Sequence, residues 1–259
     1  MTTQTAESSP VVLAPWGEGM WRLPLGPPEI AKRFRGLSPG NAPHSTGSGR
    51  RLLALVTDRS MTPEHLQQHP TLRGRLVFAE QVHGASIASL ETATPPPTAL
   101  PGCDALMTQV PGLALAVRSA DCLPLFLWDP VQEVAALAHA GWRGLAQHLP
   151  MRLVALARQR YHCRVEDLRI GIGPAIRACC YEVRDDMAAA FAPFLRRTAE
   201  RLTCDLVGYA IEEFTSAGVS ASRIMDTGAC TACEPARWSS VRREGQAAGR
   251  LVSLLMVQL

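Results

Sequence analysis

The sequence predicts a single α+β domain, and three observations lead to that prediction. The chain has 259 residues, which is enough for one large domain with its own core. Two nearly continuous apolar runs, Leu123–Trp128 and Val134–His139, are typical of strands buried on both faces. Segments with helical periodicity lie among such runs, and neither an internal repeat nor a linker divides the chain.

Residues 1–50 are predicted to be an irregular N-terminal segment, and residues 51–259 to be one domain. The first segment is rich in proline, glycine and serine, and Ser38–Gly49 is predicted to be a mobile loop. The domain begins with a mostly apolar run, Arg51–Thr57, that predicts a strand. A short helix is predicted next at Pro63–Gln68, with Thr62 as its N-cap and proline at its first position.

Further strands are predicted from short apolar runs, the first of which would deliver His83 at its end. These strands are Arg73–Val82, Ala85–Leu90, Ala105–Thr108, Leu113–Val117, Leu123–Trp128, Val134–His139, Leu168–Ile172, Ser222–Met225 and Leu251–Val257. Longer helices are predicted at Leu145–Arg160, Arg184–Glu200 and Leu206–Ala217. Pro150 lies inside the first of these, so that helix either starts near residue 150 or is kinked there.

Composition narrows the class of protein. A formal net charge of +3, with scattered arginines and no basic run containing aromatics, argues against nucleic-acid binding. No apolar stretch approaches the length of a membrane span, and Met1–Pro10 lacks the features of a signal peptide. We therefore expect a cytoplasmic protein without a membrane partner. The eight cysteines are then expected to be reduced, buried or metal-binding rather than joined in disulfides.

Three residues suggest a metal site. His83, Cys122 and His139 offer two imidazoles and one thiolate, a donor set that suits Zn²⁺. Three protein ligands leave one coordination position open for water or substrate, which is the pattern of a catalytic zinc site. Their spacing along the chain follows no fixed rule and is by itself a weak signal.

The sequence around these residues resembles a known family. The blocks that carry the resemblance occur in order: Gln81-Val82-His83-Gly84, Asp104–Thr108, Pro111–Pro124 with Ala120-Asp121-Cys122, His139–Gly144 (HAGWRG), Ile172–Ile176 and Cys180–Val183. They are similar to the bacterial YfiH/YlmD-type family, whose mammalian relative is called FAMIN, and the resemblance runs from Val77 to the C-terminus. It implies mixed β-sheets flanked by helices. Family members have been called laccases and, more recently, purine nucleoside phosphorylases with adenosine deaminase activity.

The resemblance extends the candidate site beyond the metal ligands. Gln81 and Gly173 are expected to line the substrate pocket, and Cys122 to take part in catalysis. Asp121 is a candidate partner of the metal ligands or general base. Arg143 is a candidate phosphate ligand, because its fork of donors and the following helix N-terminus both favour anions; the alternative is a tight turn with a surface ion pair. Arg243 either contributes to the substrate pocket or braces the last strand.

Two features depart from this pattern. The family's N-terminal Ser-Leu-Asn-Leu-Gly-like stretch and Gly-Asp pair are missing, so either Leu37–Arg59 replaces them or the pocket is altered. Cys179-Cys180 and the Cys230-Thr231-Ala232-Cys233 motif could together form a structural zinc site. The paired CxxC motifs of structural zinc sites are missing, and the family has one cysteine where Cys230 stands, so the sequence does not favour a second metal.

The leading hypothesis is a zinc-dependent purine nucleoside phosphorylase with adenosine deaminase activity, acting on a nucleoside and phosphate as a monomer or homodimer. Zinc lowers the pKa of bound water to about 7, which suits attack on C6 of adenine. One alternative is a cysteine or zinc hydrolase acting on an amide of a cell-wall precursor. Another is a copper-dependent polyphenol oxidase, since copper can occupy the same ligands. The last alternative is a metal-dependent binding protein without catalytic activity.

Overall fold

Two mixed β-sheets flanked by helices form the core of the fold, as predicted. A computed structural model describes residues 14–17, 19–23, 25, 50–93, 99–184 and 187–258. The strands of the described residues are β1 Ala14–Gly17, β2 Met20–Arg22, β3 Leu52–Thr57, β4 Leu76–Phe78, β5 Ile87–Leu90, β6 Ala105–Thr108, β7 Ala114–Ser119, β8 Leu123–Asp129, β9 Val134–Ala140, β10 Arg169–Ile172, β11 Leu195–Arg197, β12 Leu202–Cys204, β13 Ile224–Asp226 and β14 Leu251–Val257.

The helices are mostly short. They are α1 Pro63–Gln68, α2 Trp142–Ala146, α3 Leu149–Tyr161, α4 Ala188–Phe191, α5 Leu206–Ser216 and α6 Val241–Glu244, with 3-10 turns at Ala192–Phe194, Ala221–Arg223 and Gly245–Ala247. Asp205 caps α5 by accepting a hydrogen bond from the Gly208 backbone N–H at 2.9 Å. In the described part of the chain, no helix is both long and apolar enough to span a membrane.

The first sheet has the strand order β1-β2-β3-β14-β7-β4, and the second has the order β13-β10-β8-β9-β6-β5. Most neighbours are antiparallel; the pairs β4–β7, β5–β6 and β10–β13 are parallel. β11 and β12 form a separate hairpin. Such mixed pairing matches the predicted α+β class.

Burial explains why β8 and β9 are nearly continuous apolar runs. Alternate residues of a strand point to opposite faces of the sheet. Phe126 and Leu137 belong to a core shared with the first sheet, whereas Leu125 and Ala138 belong to a core shared with α3 and α5. The outer face of the first sheet is covered by a third cluster that includes Leu66 of α1. Both sheets are therefore packed on both faces, which requires apolar residues at successive positions.

Three predicted elements differ most from the structure. The strand predicted at Arg73–Val82 is only Leu76–Phe78, because the chain turns near Gln81, whose φ is 70°. The helix predicted at Leu145–Arg160 is two helices, broken before Leu149, where His148 has a φ of 59° and Pro150 lies in the first turn of α3. The helix predicted at Arg184–Glu200 is wrong: in the described residues the helical part is short, and Pro193 is followed by strand β11.

The described part of residues 1–50 contains two short strands. Strands β1 and β2 pair with each other, and β2 pairs with β3 at the edge of the first sheet. The predicted loop Ser38–Gly49 and most of the sequence that would replace the family's N-terminal stretch lie outside the described residues. The division of the chain at residue 50 stays a prediction.

Candidate metal centre

Residues from three separate parts of the chain bring potential metal ligands together. His83 follows β4, Cys122 immediately precedes β8, and His139 lies near the end of β9. Their ligand atoms all lie within 4.8 Å of one another. The register of β8 and β9 explains why Cys122 and His139 are close. Pro124 lies opposite His139 and Leu123 opposite Ala140, so Cys122, just before β8, lies at the same end of this strand pair as His139. The structure therefore brings together the three residues that the sequence singled out.

The turn that carries His83 has an unusual backbone. Gln81 and His83 have φ angles of 70° and 61°, in the left-handed region that non-glycine residues rarely adopt. The carboxylate of Asp104 stabilises this turn: it accepts hydrogen bonds from the backbone N–H groups of His83 at 2.9 Å and Gly84 at 2.7 Å. Strained backbone held in this way is common at functional sites.

The same carboxylate orients His139. Nδ1 of His139 lies 3.0 Å from Asp104 Oδ1, and the His139 backbone N–H donates to the Asp104 carbonyl at 2.8 Å. Both side chains are buried, with Asp104 at 0% and His139 at 4% exposure. A hydrogen bond from Nδ1–H to the carboxylate leaves Nε2 on the side of Cys122, where it could serve as a metal ligand. Asp104 therefore supports both imidazoles of the centre.

The electrostatics of the centre favour a thiolate. Burial acts to raise the pKa of the Cys122 thiol, but hydrogen bonds from His139 and His83 outweigh it and lower that pKa to about 7. Burial acts to lower the pKa of His139, but its hydrogen bonds with Asp104 and Cys122 raise it to about 9. The pKa of Asp104 is lowered: burial opposes this, but the hydrogen bond with His139 and those from the turn prevail. A half-buried thiolate beside two imidazoles is a donor set that suits Zn²⁺.

Two glycines after β9 let the chain pass close to the centre. A Cβ on Gly141 would lie 3.2 Å from Cys122 Sγ and 3.3 Å from His83 Cδ2. A Cβ on Gly144 would lie 2.5 Å from the Gly84 carbonyl oxygen, closer than real contacts allow. The glycines of the HAGWRG block are thus explained by close packing of α2 against the turn that carries His83.

A cavity of about 560 Å³ opens beside these ligands, within the usual size of small-molecule sites. The three candidate metal ligands share its wall with Gln81, Arg118, Asp121, Tyr181, Arg242 and Arg250. Among the described residues, the Arg118 guanidinium makes no hydrogen bond or ion pair and lies 4.7 Å from the centre of the Phe78 ring. Burial raises the pKa of Tyr181 to about 12, so its hydroxyl is a neutral hydrogen-bond donor near pH 7.

Gln81 and Asp121 line the cavity, but their polar atoms already have partners. Gln81 exchanges two hydrogen bonds with the Arg118 backbone, at 2.5 and 2.8 Å. Asp121 has a φ of 109°, and its two carboxylate oxygens accept from the Thr231 hydroxyl and the Arg242 backbone N–H, both at 2.7 Å. This arrangement makes Asp121 an anchor for the C-terminal wall of the cavity, and its assignment as a general base stays a prediction.

Three residues expected at the substrate pocket are not part of the wall of this cavity. Arg143 is exposed and stacks on Trp142, outside the cavity wall. Gly173 is buried, and a Cβ there would lie 2.6 Å from Pro124, so its role is close packing. Arg243 donates to the carbonyls of Thr231 and Ala232 at 2.7 and 3.0 Å, and to that of Trp238 at 2.6 Å. These contacts hold the Cys230–Cys233 turn, and none of them reaches the last strand or the cavity wall.

Two residues of the site were missed by sequence reasoning. Asp104 stands in one of the motif blocks, and the general tendency of metal-binding histidines to pair with a carboxylate could have drawn attention to it. Which acidic residue pairs with His139 depends on the pairing of β6 with β9, and the sequence does not show that these strands are neighbours. Arg118 precedes Cys122 by four residues in a strand of the other sheet, and no local signal distinguishes it from the remaining arginines.

Comparisons with known proteins agree with the motif resemblance. The family model described as multi-copper polyphenol oxidoreductase laccase matches residues 57–258. Purine nucleoside phosphorylase YlmD of Geobacillus stearothermophilus is 36% identical over 196 residues, which cover 70% of this chain and 72% of that protein. Adenosine deaminase RL5, from an unknown prokaryotic organism, is 31% identical over 191 residues, covering 68% and 72%. The crystal structure of YlmD from G. stearothermophilus superposes with a TM-score of 0.79 at 26% identity, covering 96% and 100%.

Proposed function

The chain belongs to the multi-copper polyphenol oxidoreductase laccase family of YfiH- and YlmD-like proteins, and from that premise we propose that it is a zinc-dependent purine nucleoside phosphorylase that also deaminates adenosine. One observation carries the proposal. The ligand atoms of His83, Cys122 and His139 lie within 4.8 Å of one another on the wall of a cavity that also holds arginines. A three-ligand metal centre and an anion-binding surface are what the two reactions require.

The metal ligands support deamination. Zinc held by His83, Cys122 and His139 would lower the pKa of a water molecule to about 7 and so supply a nucleophile for C6 of the purine. Asp104 keeps Nε2 of His139 directed at the centre and holds the turn of His83 in place. Such preorganisation matters because ligands that need no reorientation stabilise the transition state most effectively.

The arginines of the cavity support phosphorolysis. In that reaction phosphate forms a bond to C1′ of the ribose, the bond between C1′ and the purine nitrogen breaks, and the base leaves with the electron pair. Arg118 is the first candidate for holding phosphate, because its guanidinium has no hydrogen-bonding partner among the described residues. Arg242 and Arg250 lie on the same wall. The proposal therefore assigns the anion to Arg118 and its neighbours instead of to Arg143.

A multicopper laccase is a weaker interpretation of this site. Such an enzyme needs many imidazole ligands, whereas the chain has seven histidines and no His-x-His pair. In the described ranges, groups of three or more metal-ligating side chains occur twice, and only the group at Cys122 contains histidine. One copper ion could compete for that centre. A single ion of this kind does not provide for the four-electron reduction of oxygen.

A cysteine hydrolase acting on an amide is the second candidate, and the Cys122–His139 pair favours it. A thiol with a pKa of about 7 beside a histidine with a raised pKa is the arrangement of a cysteine nucleophile and its base. The same arrangement is expected for metal ligands without their ion. Chelation separates the two candidates, since it should abolish a zinc-dependent activity and leave a cysteine-dependent one.

Turnover of nucleosides tests the proposal directly. The purified protein should convert inosine to hypoxanthine and ribose 1-phosphate only when phosphate is present. It should convert adenosine to inosine with or without phosphate. If the zinc-containing protein turns over neither nucleoside at enzyme concentrations that rule out slow activity, the proposed function is wrong.

A further inference from the structure

Four cysteine sulfurs form a second cluster, which shares no residue with the first. Cys179 Sγ lies 3.7 Å from Cys230 Sγ and 3.6 Å from Cys233 Sγ, and Cys180 Sγ lies 3.3 Å from Cys233 Sγ. All four sulfurs lie within 4.8 Å of one another, and none is in a disulfide bond. The sequence alone did not favour this pairing of an adjacent cysteine pair with one CxxC motif.

The fold explains how the two cysteine pairs meet. Strands β10 and β13 are parallel neighbours, so the loops after their carboxyl ends leave the same edge of the sheet. Cys179 and Cys180 follow β10, and Cys230 and Cys233 follow β13. An isolated bridge between Ala175 and Cys230 continues the pairing beyond the strands. Two adjacent turns therefore each offer two thiols to one point.

The spacing of the sulfurs fits a tetrahedral thiolate site. Zinc–sulfur bonds are about 2.3 Å long, so the sulfurs of a four-thiolate zinc site lie about 3.8 Å apart. Three of the sulfur–sulfur distances, 3.3, 3.6 and 3.7 Å, lie slightly below that value, and every other pair of sulfurs in the cluster lies within 4.8 Å. We propose that Cys179, Cys180, Cys230 and Cys233 bind a second, structural Zn²⁺, with four protein ligands and no position left for substrate.

Charge around the cluster fits this proposal. Four thiolates and one Zn²⁺ would carry a net charge of about −2, which nearby cations would partly offset. Arg243, which is also paired with the Glu244 carboxylate, donates to the carbonyls of Thr231 and Ala232 inside the CxxC turn. Arg201 donates to the carbonyl of Cys179 at 3.4 Å. Two guanidinium groups thus lie against the turns that carry the sulfurs.

The second metal would stabilise one wall of the substrate cavity. Tyr181, on the cavity wall, directly follows Cys180. Thr231, inside the CxxC turn, donates to the Asp121 carboxylate next to Cys122. A four-coordinate ion joining the two turns would therefore fix Tyr181 and Asp121 relative to the first metal, without contacting the substrate.

Metal counting tests the second site independently of the proposed function. Protein purified under reducing conditions should contain two zinc ions per chain by elemental analysis and native mass spectrometry. Cys122→Ala should retain one, and a Cys179→Ser/Cys233→Ser double variant should also retain one. Cys204→Ala, which changes a buried cysteine of the main core, should retain two. Cobalt substituted into Cys122→Ala should show the intense sulfur-to-metal charge-transfer bands of a tetrathiolate site.

Several results would overturn the proposal. Cys122→Ala is the decisive variant, because it leaves the four-cysteine cluster intact. If folded Cys122→Ala contains no metal, or if its remaining zinc is unchanged after Cys179→Ser and Cys233→Ser are added, there is no second zinc site. Disulfide bonds among the four cysteines in the freshly reduced, zinc-supplied protein would assign the cluster to redox chemistry instead.

Discussion

Asp104 and His139 form a buried pair in which Asp104 Oδ1 lies 3.0 Å from Nδ1 of His139. The same carboxylate accepts the backbone hydrogen bonds of His83 and Gly84. One acidic side chain thus fixes the orientation of one candidate ligand and the strained turn that presents another. If the centre binds metal, its affinity depends on a residue that does not touch the ion.

Asp104→Asn tests this dependence. The amide keeps the size of the side chain but loses the negative charge that favours the Nδ1–H tautomer of His139. We expect zinc affinity to fall by about 10- to 100-fold, the usual effect of removing a partner of a metal-binding histidine. Competition with a chromophoric chelator measures it. Asp167→Asn, which changes a carboxylate outside the centre, should match the wild type; equal affinity in both variants would contradict the role of Asp104.

The acidity of Cys122 gives a pH-dependent prediction for the metal-free protein. Because hydrogen bonds from His139 and His83 lower the pKa of Cys122 to about 7, its alkylation rate should rise through an inflection near pH 7. His139→Ala removes one of these hydrogen bonds, so the inflection should move to higher pH. Iodoacetamide labelling followed by peptide mass spectrometry measures Cys122 separately from the other thiols. An inflection at the ordinary thiol value in the wild type would contradict the proposed thiolate.

Gly141→Ala and Gly84→Ala form a matched pair beside the centre. A methyl group on Gly141 would press on Cys122 Sγ and His83 Cδ2 at 3.2 and 3.3 Å, whereas one on Gly84 would meet ordinary contacts at 3.5 and 3.6 Å. We expect Gly141→Ala to lower kcat/KM by about tenfold or more, since a displacement of about 1 Å at a site can cost about 100-fold. Gly84→Ala should have a clearly smaller effect. Steady-state kinetics measures both variants. A larger loss of kcat/KM in Gly84→Ala than in Gly141→Ala would contradict the view that glycine is needed at position 141 to avoid crowding Cys122.

Arg118→Ala distinguishes the two assignments of the phosphate-binding cation. Loss of a charge-assisted contact should lower kcat/KM for inosine phosphorolysis by about 10- to 100-fold. Deamination of adenosine, which needs no phosphate, should fall much less. Arg143→Ala should leave both reactions close to wild type, because Arg143 lies outside the cavity wall. A phosphate-specific loss in Arg143→Ala, with none in Arg118→Ala, would restore the assignment made from the sequence.

The sequence predicted strongly buried strands well, and it also predicted the limits of the mostly exposed helix α1 from its Thr62 cap and Pro63. Strands β6 and β14 have the predicted limits, and β8 and β9 are one residue longer than predicted, since apolar runs buried on both faces leave little ambiguity. The helix predicted at Arg184–Glu200 is wrong because Pro193 lies inside it, and strand β11 follows directly after this proline's 3-10 turn. Here the proline, which cannot continue a helix, outweighed the helix propensity of the surrounding residues.

The site divides in a similar way. The three candidate metal ligands were visible in the sequence because their residue types and flanking motifs are distinctive. Asp104, Arg118 and the four-cysteine cluster depend on which strands are neighbours: β6 with β9 for Asp104, and β10 with β13 for the cysteines. The motif places Arg143 next to glycines and a helix N-terminus, whereas its side chain lies over Trp142 at the surface. A motif gives the types and the order of its residues, but it does not give the direction in which each side chain points.

Removal and return of zinc tests the central claim most directly. Wild-type protein is stripped with a chelator, and phosphate-dependent cleavage of inosine is followed as zinc is added back, with Cys122→Ala measured in parallel. We predict that activity is lost on stripping, returns with zinc in the wild type, and does not return in Cys122→Ala. Full turnover by the stripped protein, or by Cys122→Ala, would contradict a catalytic zinc held by His83, Cys122 and His139.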